Sequence, residues 1–246
     1  MINKLEHLAE FQRVLKDYQP SERSKEILNA TDLVLLVGPS SSGRNTIVTD
    51  LKKTGHYHYL VSDTTRKIRH KNGEPIEYNG REYWFRSEAD VLKDLEGGKF
   101  LEAALIHNQQ VSGISIREVD KAHQSNQIGI TDITPDGVDT IYALKPDTKI
   151  FFVIPPSFEE WMRRFDSRGT MPSEEKRRRL ESAEKEFEVA LTHKYYIFLI
   201  NDTFDHAVEQ IHEWVIGGRH DREHQKRGRR ITEQLLLGTK KFLAQN

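Results

Sequence analysis

Cysteine is absent from the chain, which excludes a disulfide framework and thiolate chemistry. A dominant charge is missing too: 37 lysines and arginines face 38 aspartates and glutamates, so no global field draws the chain to nucleic acid or a membrane surface. No apolar run is long enough to span a bilayer, and the opening MINKLEHLAEFQ lacks the apolar stretch of a secretory signal. Internal repeats and low-complexity segments are not seen. These absences predict a soluble cytoplasmic protein without a membrane partner, whose function rests on specific sites. What is present is 246 residues, 36% of them apolar, enough for one α/β domain with appendages.

The first thirty residues place Leu5, Leu8, Phe11, Leu15 and Tyr18 at helical spacing, break at Pro20 and resume at Ser21, which predicts a helical extension over residues 1–30. Over residues 31–216 short apolar runs alternate with amphipathic segments. LVLLV, HYLVS, EYWF, KFLEAALI, QIGITDI, KIFFVI and YIFLI predict strands. Helices are predicted near residues 44–53, 87–96, 115–125, 157–165, 174–191 and 203–215. This alternation predicts a mostly parallel sheet covered on both faces. The helix after Pro172 is expected to use Ser173 as N-cap and to bury Leu180, Ala183, Phe187 and Ala190. RKIRHKNGEPIEYNG, residues 66–80, is polar and rich in turn residues ahead of an aromatic strand, so it predicts an exposed excursion in a small lobe. The tail, residues 217–246, carries eight basic residues against three acidic ones and ends in the weakly helical ITEQLLLGTKKFL. A solvated tail or a docked helix is the expected form, with contact to RNA or another acidic partner a minority option.

LVLLVGPSSSGRNTIV reads as a strand, a glycine-rich turn and a helix. Gly38, four intervening residues and Gly43 match the first part of the phosphate-loop pattern G-x-x-x-x-G-K-S/T, in which backbone N–H groups and a helix N-terminus converge on phosphate oxygens. The binding set is then Gly38, Pro39, Ser40, Ser41, Ser42, Gly43, Arg44, Asn45 and Thr46. Arg44 stands at the lysine position, keeping a permanent charge on a longer, planar side chain. Asn45 stands where a hydroxyl is expected to reach magnesium; its carbonyl oxygen suits a hard cation, and the Thr46 hydroxyl follows one position later. Two other readings of the turn remain on this stretch alone. A serine nucleophile elbow needs glycine where Ser42 stands, and a plain structural turn needs no ligand. Elsewhere HYH, residues 56–58, alternates as a strand without the partners of a zinc site. Trp84, Trp161 and Trp214 sit among apolar positions and are expected to fill packed contacts.

After GPSSSG the chain reads LVSDTTRKIR, NGREYWF, GKFLEAALIH, RGTMPSEEKRRRL and LINDTFDHAVEQI, an ordered set that resembles the guanylate kinases over residues 33–216. The resemblance implies a P-loop NTPase-type parallel sheet covered by helices, with a small nucleotide-monophosphate-binding lobe and a lid. It implies transfer of the terminal phosphoryl group of ATP, with Mg2+, to GMP or a related nucleoside monophosphate. In family terms Ser62 touches the guanine base, Arg66, Arg69 and Tyr83 grip the monophosphate, and Glu102 accepts protons from the guanine edge. Asp132 matches the first of two family aspartates, near magnesium and the phosphates, and Thr134 replaces the second, which helps recognise guanine. HNQQVSGIS has Val111 and Ser112 where the family presents two tyrosines, with one extra residue in the loop. Arg164, Arg168 and Arg179 match the lid and helix arginines, which join Arg44 in a transfer that needs alignment and positive charge more than a nucleophile. Arg177 and Arg178 read as surface charge. The resemblance also extends to guanylate-kinase-like binding modules, which keep the fold and transfer nothing, and a kinase for another phosphorylated small molecule is the third reading.

Overall fold

The structure, a computed structural model, describes residues 5–167, 169, 171–218 and 221–245. In chain order its elements are α1 (Leu8–Lys16), α2 (Glu22–Asn29), β1 (Leu33–Val37), α3 (Arg44–Lys53), β2 (Tyr57–Tyr59), β3 (Asp63–Thr64), β4 (His70–Lys71), β5 (Glu74–Pro75), β6 (Trp84–Phe85), α4 (Glu88–Glu96) and β7 (Phe100–Ile106). They continue with β8 (Gln110–Ser115), α5 (Ile116–Gln124), β9 (Ile128–Asp132), α6 (Pro135–Leu144), β10 (Lys149–Ile154), α7 (Phe158–Asp166), α8 (Ser173–Thr192), β11 (Tyr196–Ile200), α9 (Phe204–Val215) and α10 (Arg222–Gln245). Two compact units result: a first unit of residues up to 33, 55–131 and 136–148, and a second of 34–54, 132–135 and 149 onward. Among the described residues no helix is long and apolar enough to cross a membrane.

In the second unit β1, β10 and β11 run parallel in the order β11-β10-β1, with Leu36 opposite Phe151 and Phe152 opposite Phe198. Every residue of β1 is buried and only Lys149 of β10 is not, the continuous apolar texture of strands covered on both faces. Neighbouring side chains on a strand point to opposite faces. Phe151 meets Trp214 of α9 at 6.4 Å between ring centres, and Phe152 meets Phe187 of α8 at 6.1 Å, so helices lie on both sides. This is the α/β architecture that the alternating sequence predicts.

The face of α8 that turns inward is Leu180, Ala183, Phe187 and Ala190, as the spacing predicts. Its N-cap is Pro172, however, and Ser173 is the first helical residue with no side-chain cap in place. The expected Ser173 cap is thus corrected: Glu174 and Glu175 in the first turn complement the helix dipole instead. The tail forms α10, a helix of 24 residues packed against α8, β11 and α7. It is longer than the weakly helical segment expected, because Gly228, its first buried position, carries no apolar signal and the buried Ile231 comes only at the start of that segment. The Gln225 amide accepts the Phe198 N–H at 2.8 Å and donates to the Phe198 C=O at 3.1 Å, fastening the helix to β11.

The first unit contains β2 parallel to β9, Tyr57 opposite Ile128, and a separate sheet ordered β6-β3-β8-β7. There β3 and β6 are parallel, whereas β8 is antiparallel to both β3 and β7. β8 occupies the last six residues of HNQQVSGIS, a stretch absent from the expected strands; His107 and Asn108 take left-handed φ values of 50° and 55° and fold it back on β7. β4 and β5 form an exposed hairpin inside the polar excursion, turning at Asn72 and Gly73. Leu5, Phe11, Val91, Leu95, Phe100 and Val111 make a buried cluster that joins the N-terminal residues to this unit.

Candidate active site

In the second unit β1 delivers the chain into residues 38–43 and α3 carries it away. Gly38 has φ 141°, and a Cβ there would come 2.3 Å from the Val153 carbonyl oxygen, so only glycine fits this approach. Gly43 caps α3 without a side chain, which leaves the positive end of the helix to a ligand anion. Three side chains brace the loop. The Trp161 indole N–H donates to Ser40 O at 2.8 Å, Asn201 Nδ2 to Ser42 O at 2.7 Å, and Arg179 to Ser40 Oγ at 3.2 Å. A cavity of about 200 Å³ is lined by residues 39–46 and Asp132. The Ser41 and Ser42 hydroxyls and Asn201 Oδ1 are buried with no hydrogen-bond partner, a state that costs stability.

Arg44 opens α3 and is half-buried, while Asn45 and Thr46 are exposed at the rim. Burial pushes the Glu186 carboxyl on α8 up to about 7, with the Arg44 charge opposing the rise. Glu186 was not among the residues expected from sequence, since nothing in its spacing separates it from the surface charges of α8. Arg164 on α7 donates to Glu160 at 2.6 Å and to Asp202 O at 3.5 Å, and its remaining terminal nitrogen is buried without a partner. Arg179 divides its guanidinium between Glu175, at 2.7 Å, and Ser40. Arg168 lies outside the described residues. Arg177 pairs with Glu181 and Arg178 with Glu175, the surface roles expected of them. Trp161 is fully buried, and its second role as a brace for the loop is invisible in a run of apolar neighbours. Thr134 follows β9 and is exposed. A larger cavity of about 770 Å³, lined by residues including His206, Trp214 and His224, contains none of the expected site residues.

The first unit gathers the other expected group. Ser62 accepts the Trp84 N–H through its carbonyl at 2.9 Å, beside the β3–β6 pairing. Arg66 grips Glu77 with both terminal nitrogens, at 2.8 and 2.7 Å, and its guanidinium carbon lies 5.3 Å from the centre of the Tyr83 ring. Glu77 also accepts the Arg69 N–H at 2.9 Å, and the Arg69 guanidinium lies 3.9 Å away and exposed. Arg66 holds the Glu77 carboxyl below the usual carboxylate range. Glu102 lies on β7 opposite Ile114, and burial pushes its carboxyl up to about 7. Ser112 donates to the Thr64 hydroxyl at 2.8 Å and Val111 is buried, so both serve the sheet.

In the same unit Glu118 accepts from Trp84 Nε1 at 3.1 Å and Lys121 at 2.6 Å, with His58 Nε2 at 3.3 Å. Burial raises the Glu118 carboxyl, but those bonds prevail and hold it at about 2. Asp63 is similarly clasped by Arg86 at 2.7 Å and Arg117 at 2.8 Å. His58 therefore belongs to a carboxylate framework. Among the described residues no three His, Cys, Asp or Glu side chains gather as a metal centre would require.

A glycine-rich loop held between a buried parallel strand and a helix N-terminus defines the P-loop class of α/β proteins. The family model for guanylate kinase matches residues 30–216. The guanylate kinase of Corynebacterium glutamicum is 34% identical over 187 residues, 75% of this chain and 95% of that protein. That of Corynebacterium diphtheriae is 32% identical over 189 residues, covering 76% and 95%. A crystal structure of guanylate kinase from Anaplasma phagocytophilum matches with a TM-score of 0.56 at 19% identity, over 83% of this chain and 95% of that one, a likeness of fold. The chain belongs to the guanylate kinase family.

Proposed function

We propose that the protein transfers the terminal phosphoryl group of ATP to GMP or a related nucleoside monophosphate. The observation that carries this reading is the loop cavity, where buried, unpartnered Ser41 and Ser42 hydroxyls stand beside Arg44 and a helix N-terminus. Residues 38–46 would cradle the triphosphate, and Arg44, Arg164, Arg168 and Arg179 would supply positive charge to the equatorial oxygens. Asn45 and Asp132 line the same cavity, a donor set that fits Mg2+, which takes one or two protein oxygens and completes its shell with phosphates and water. When bound, that ion neutralises charge on the transferring phosphate. Arg66, Arg69 and Tyr83 would hold the acceptor phosphate, the two guanidinium forks matching its oxygens. Ser62, Glu102 and Thr134 would face the base. Residues 31–216 are then the kinase region, with 1–30 and 217–246 as additions, in a cytoplasmic protein that acts on free nucleotides.

Steady-state assays with ATP, Mg2+ and a panel of nucleoside monophosphates, following ADP release, test this directly. Turnover with GMP is the expected outcome. Turnover only with another monophosphate would move the specificity and keep the mechanism. Nucleotide binding without turnover on any acceptor would replace the kinase reading by that of a binding module.

A further inference from the structure

The N-terminal residues fasten to the first unit at the start of one strand. β7 is outermost in the order β6-β3-β8-β7, so among the described residues one edge of its backbone has no strand beside it. Tyr18 takes that place with a single atom: its hydroxyl accepts the Phe100 N–H at 2.8 Å and donates to the Phe100 C=O at 2.8 Å. Two residues earlier, the Gly98 carbonyl accepts both the Ser21 N–H at 2.9 Å and the Ser24 hydroxyl at 2.7 Å. Gly98 has φ 64°, and a Cβ there would meet Ser21 N at 2.5 Å, so the fit at this point requires glycine. Phe11, fully buried, packs in the same cluster as Phe100.

These contacts flank an irregularity in the sheet. The pairing of β7 with β8 slips between Phe100, opposite Ser115, and Glu102, opposite Ile114. A bulge bends its strand and re-aims the side chains that follow, and here the next paired residue is Glu102. We infer that Tyr18 is a positioning residue for Glu102: by tying both backbone groups of Phe100 it fixes the bulge, and with it the place where the Glu102 carboxylate meets the acceptor base. This rests on the reading of Glu102 as a base contact. Tyr18 precedes the family match at residues 30–216, so in this chain acceptor binding draws on a segment outside the matched region.

Tyr18→Phe in the full chain keeps the ring and removes both hydrogen bonds. The acceptor KM is expected to rise about fivefold, the effect of losing a net hydrogen bond, with kcat and the ATP KM changed by less than about twofold. Amide hydrogen exchange is expected to quicken at residues 98–103 and to stay constant at residues 38–46. Ser24→Ala, which removes one bond to Gly98 and keeps Tyr18, gives a smaller shift in the same direction and stands in should Tyr18→Phe fold poorly. An unchanged acceptor KM, or a matching change in kcat and both KM values, overturns the inference. If the parent protein phosphorylates no monophosphate, the reading of Glu102 falls separately. Exchange at residues 98–103 then decides whether Tyr18 holds the bulge, and unchanged rates overturn that claim as well.

Discussion

The phosphate loop and the first unit, proposed above to hold the acceptor and called the acceptor unit below, keep their polar groups in opposite states. Around the loop, the Ser41 and Ser42 hydroxyls and one terminal nitrogen of Arg164 are buried and unpartnered. In the acceptor unit, Arg66 is already bonded twice to Glu77, and Asp63 and Glu118 are each clasped by cationic side chains. A ligand entering the loop therefore satisfies groups that the fold leaves bare, and gains nearly the whole of each bond. A monophosphate reaching Arg66 meets a guanidinium held in place by a carboxylate, so it gains only a difference in exchange for a prearranged fork. The loop is completed by its ligand, whereas the acceptor unit is arranged in advance by its own carboxylates.

The largest test of this contrast is Arg44→Ala, which removes charge from the loop. It is expected to lower kcat about a hundredfold, the scale of losing one electrostatic contact in a phosphoryl transfer site, in the ADP-release assay. Activity equal to the parent protein would place the loop's catalytic charge elsewhere. Next comes Glu77→Gln, which breaks the prearranged side by leaving Arg66 half-buried without its counter-charge. A loss of about 2 kcal/mol at pH 7 is expected from urea unfolding. Because the folded Glu77 carboxyl lies below its ordinary value, this stabilisation is present above the unfolded pKa and is lost as pH falls through the lowered one. The parent and variant should therefore converge in acid, and a constant gap between them would show that the charge of Glu77 is not its source.

A smaller effect concerns Glu102, pushed up to about 7 by burial. Only its ionised form accepts two donors from a base edge, so the acceptor KM is expected to rise about tenfold between pH 8 and pH 6 while the ATP KM stays level. Glu102→Gln should flatten that profile. The smallest change is expected from Arg178→Ala, which removes an exposed partner of Glu175 and leaves that carboxylate its bond to Arg179. Its thermal unfolding should move by less than about 0.5 kcal/mol.

What could be read from the sequence follows from how local each signal is. β1, β10 and β11 are legible because strands covered on both faces must be apolar throughout. β8 is not, since Gln110, Ser112 and Gly113 become a strand only through pairing with β3 and β7. α6 is absent from the expected helices because it opens with Pro135 and Gly137, poor helix formers; the proline takes the first helical position, where its missing N–H costs nothing. The loop from Gly38 to Thr46 is legible because a phosphate cradle is built from consecutive residues. Its braces are not: Asn201 lies 159 positions from Ser42, and Trp161 lies 121 from Ser40. Glu77 and Glu118 escape notice for the same reason, as each gains its meaning from partners that only the fold brings near.

The central claim, that the ligand-completed loop and the prearranged acceptor unit serve one phosphoryl transfer, is tested most directly by ³¹P NMR of ATP, GMP and Mg2+ with the purified protein. The account predicts that the resonances of ADP and GDP grow together in equal amounts while those of ATP and GMP decline. Inorganic phosphate appearing with ADP in place of GDP, or an unchanging spectrum from protein that binds both nucleotides, would contradict it.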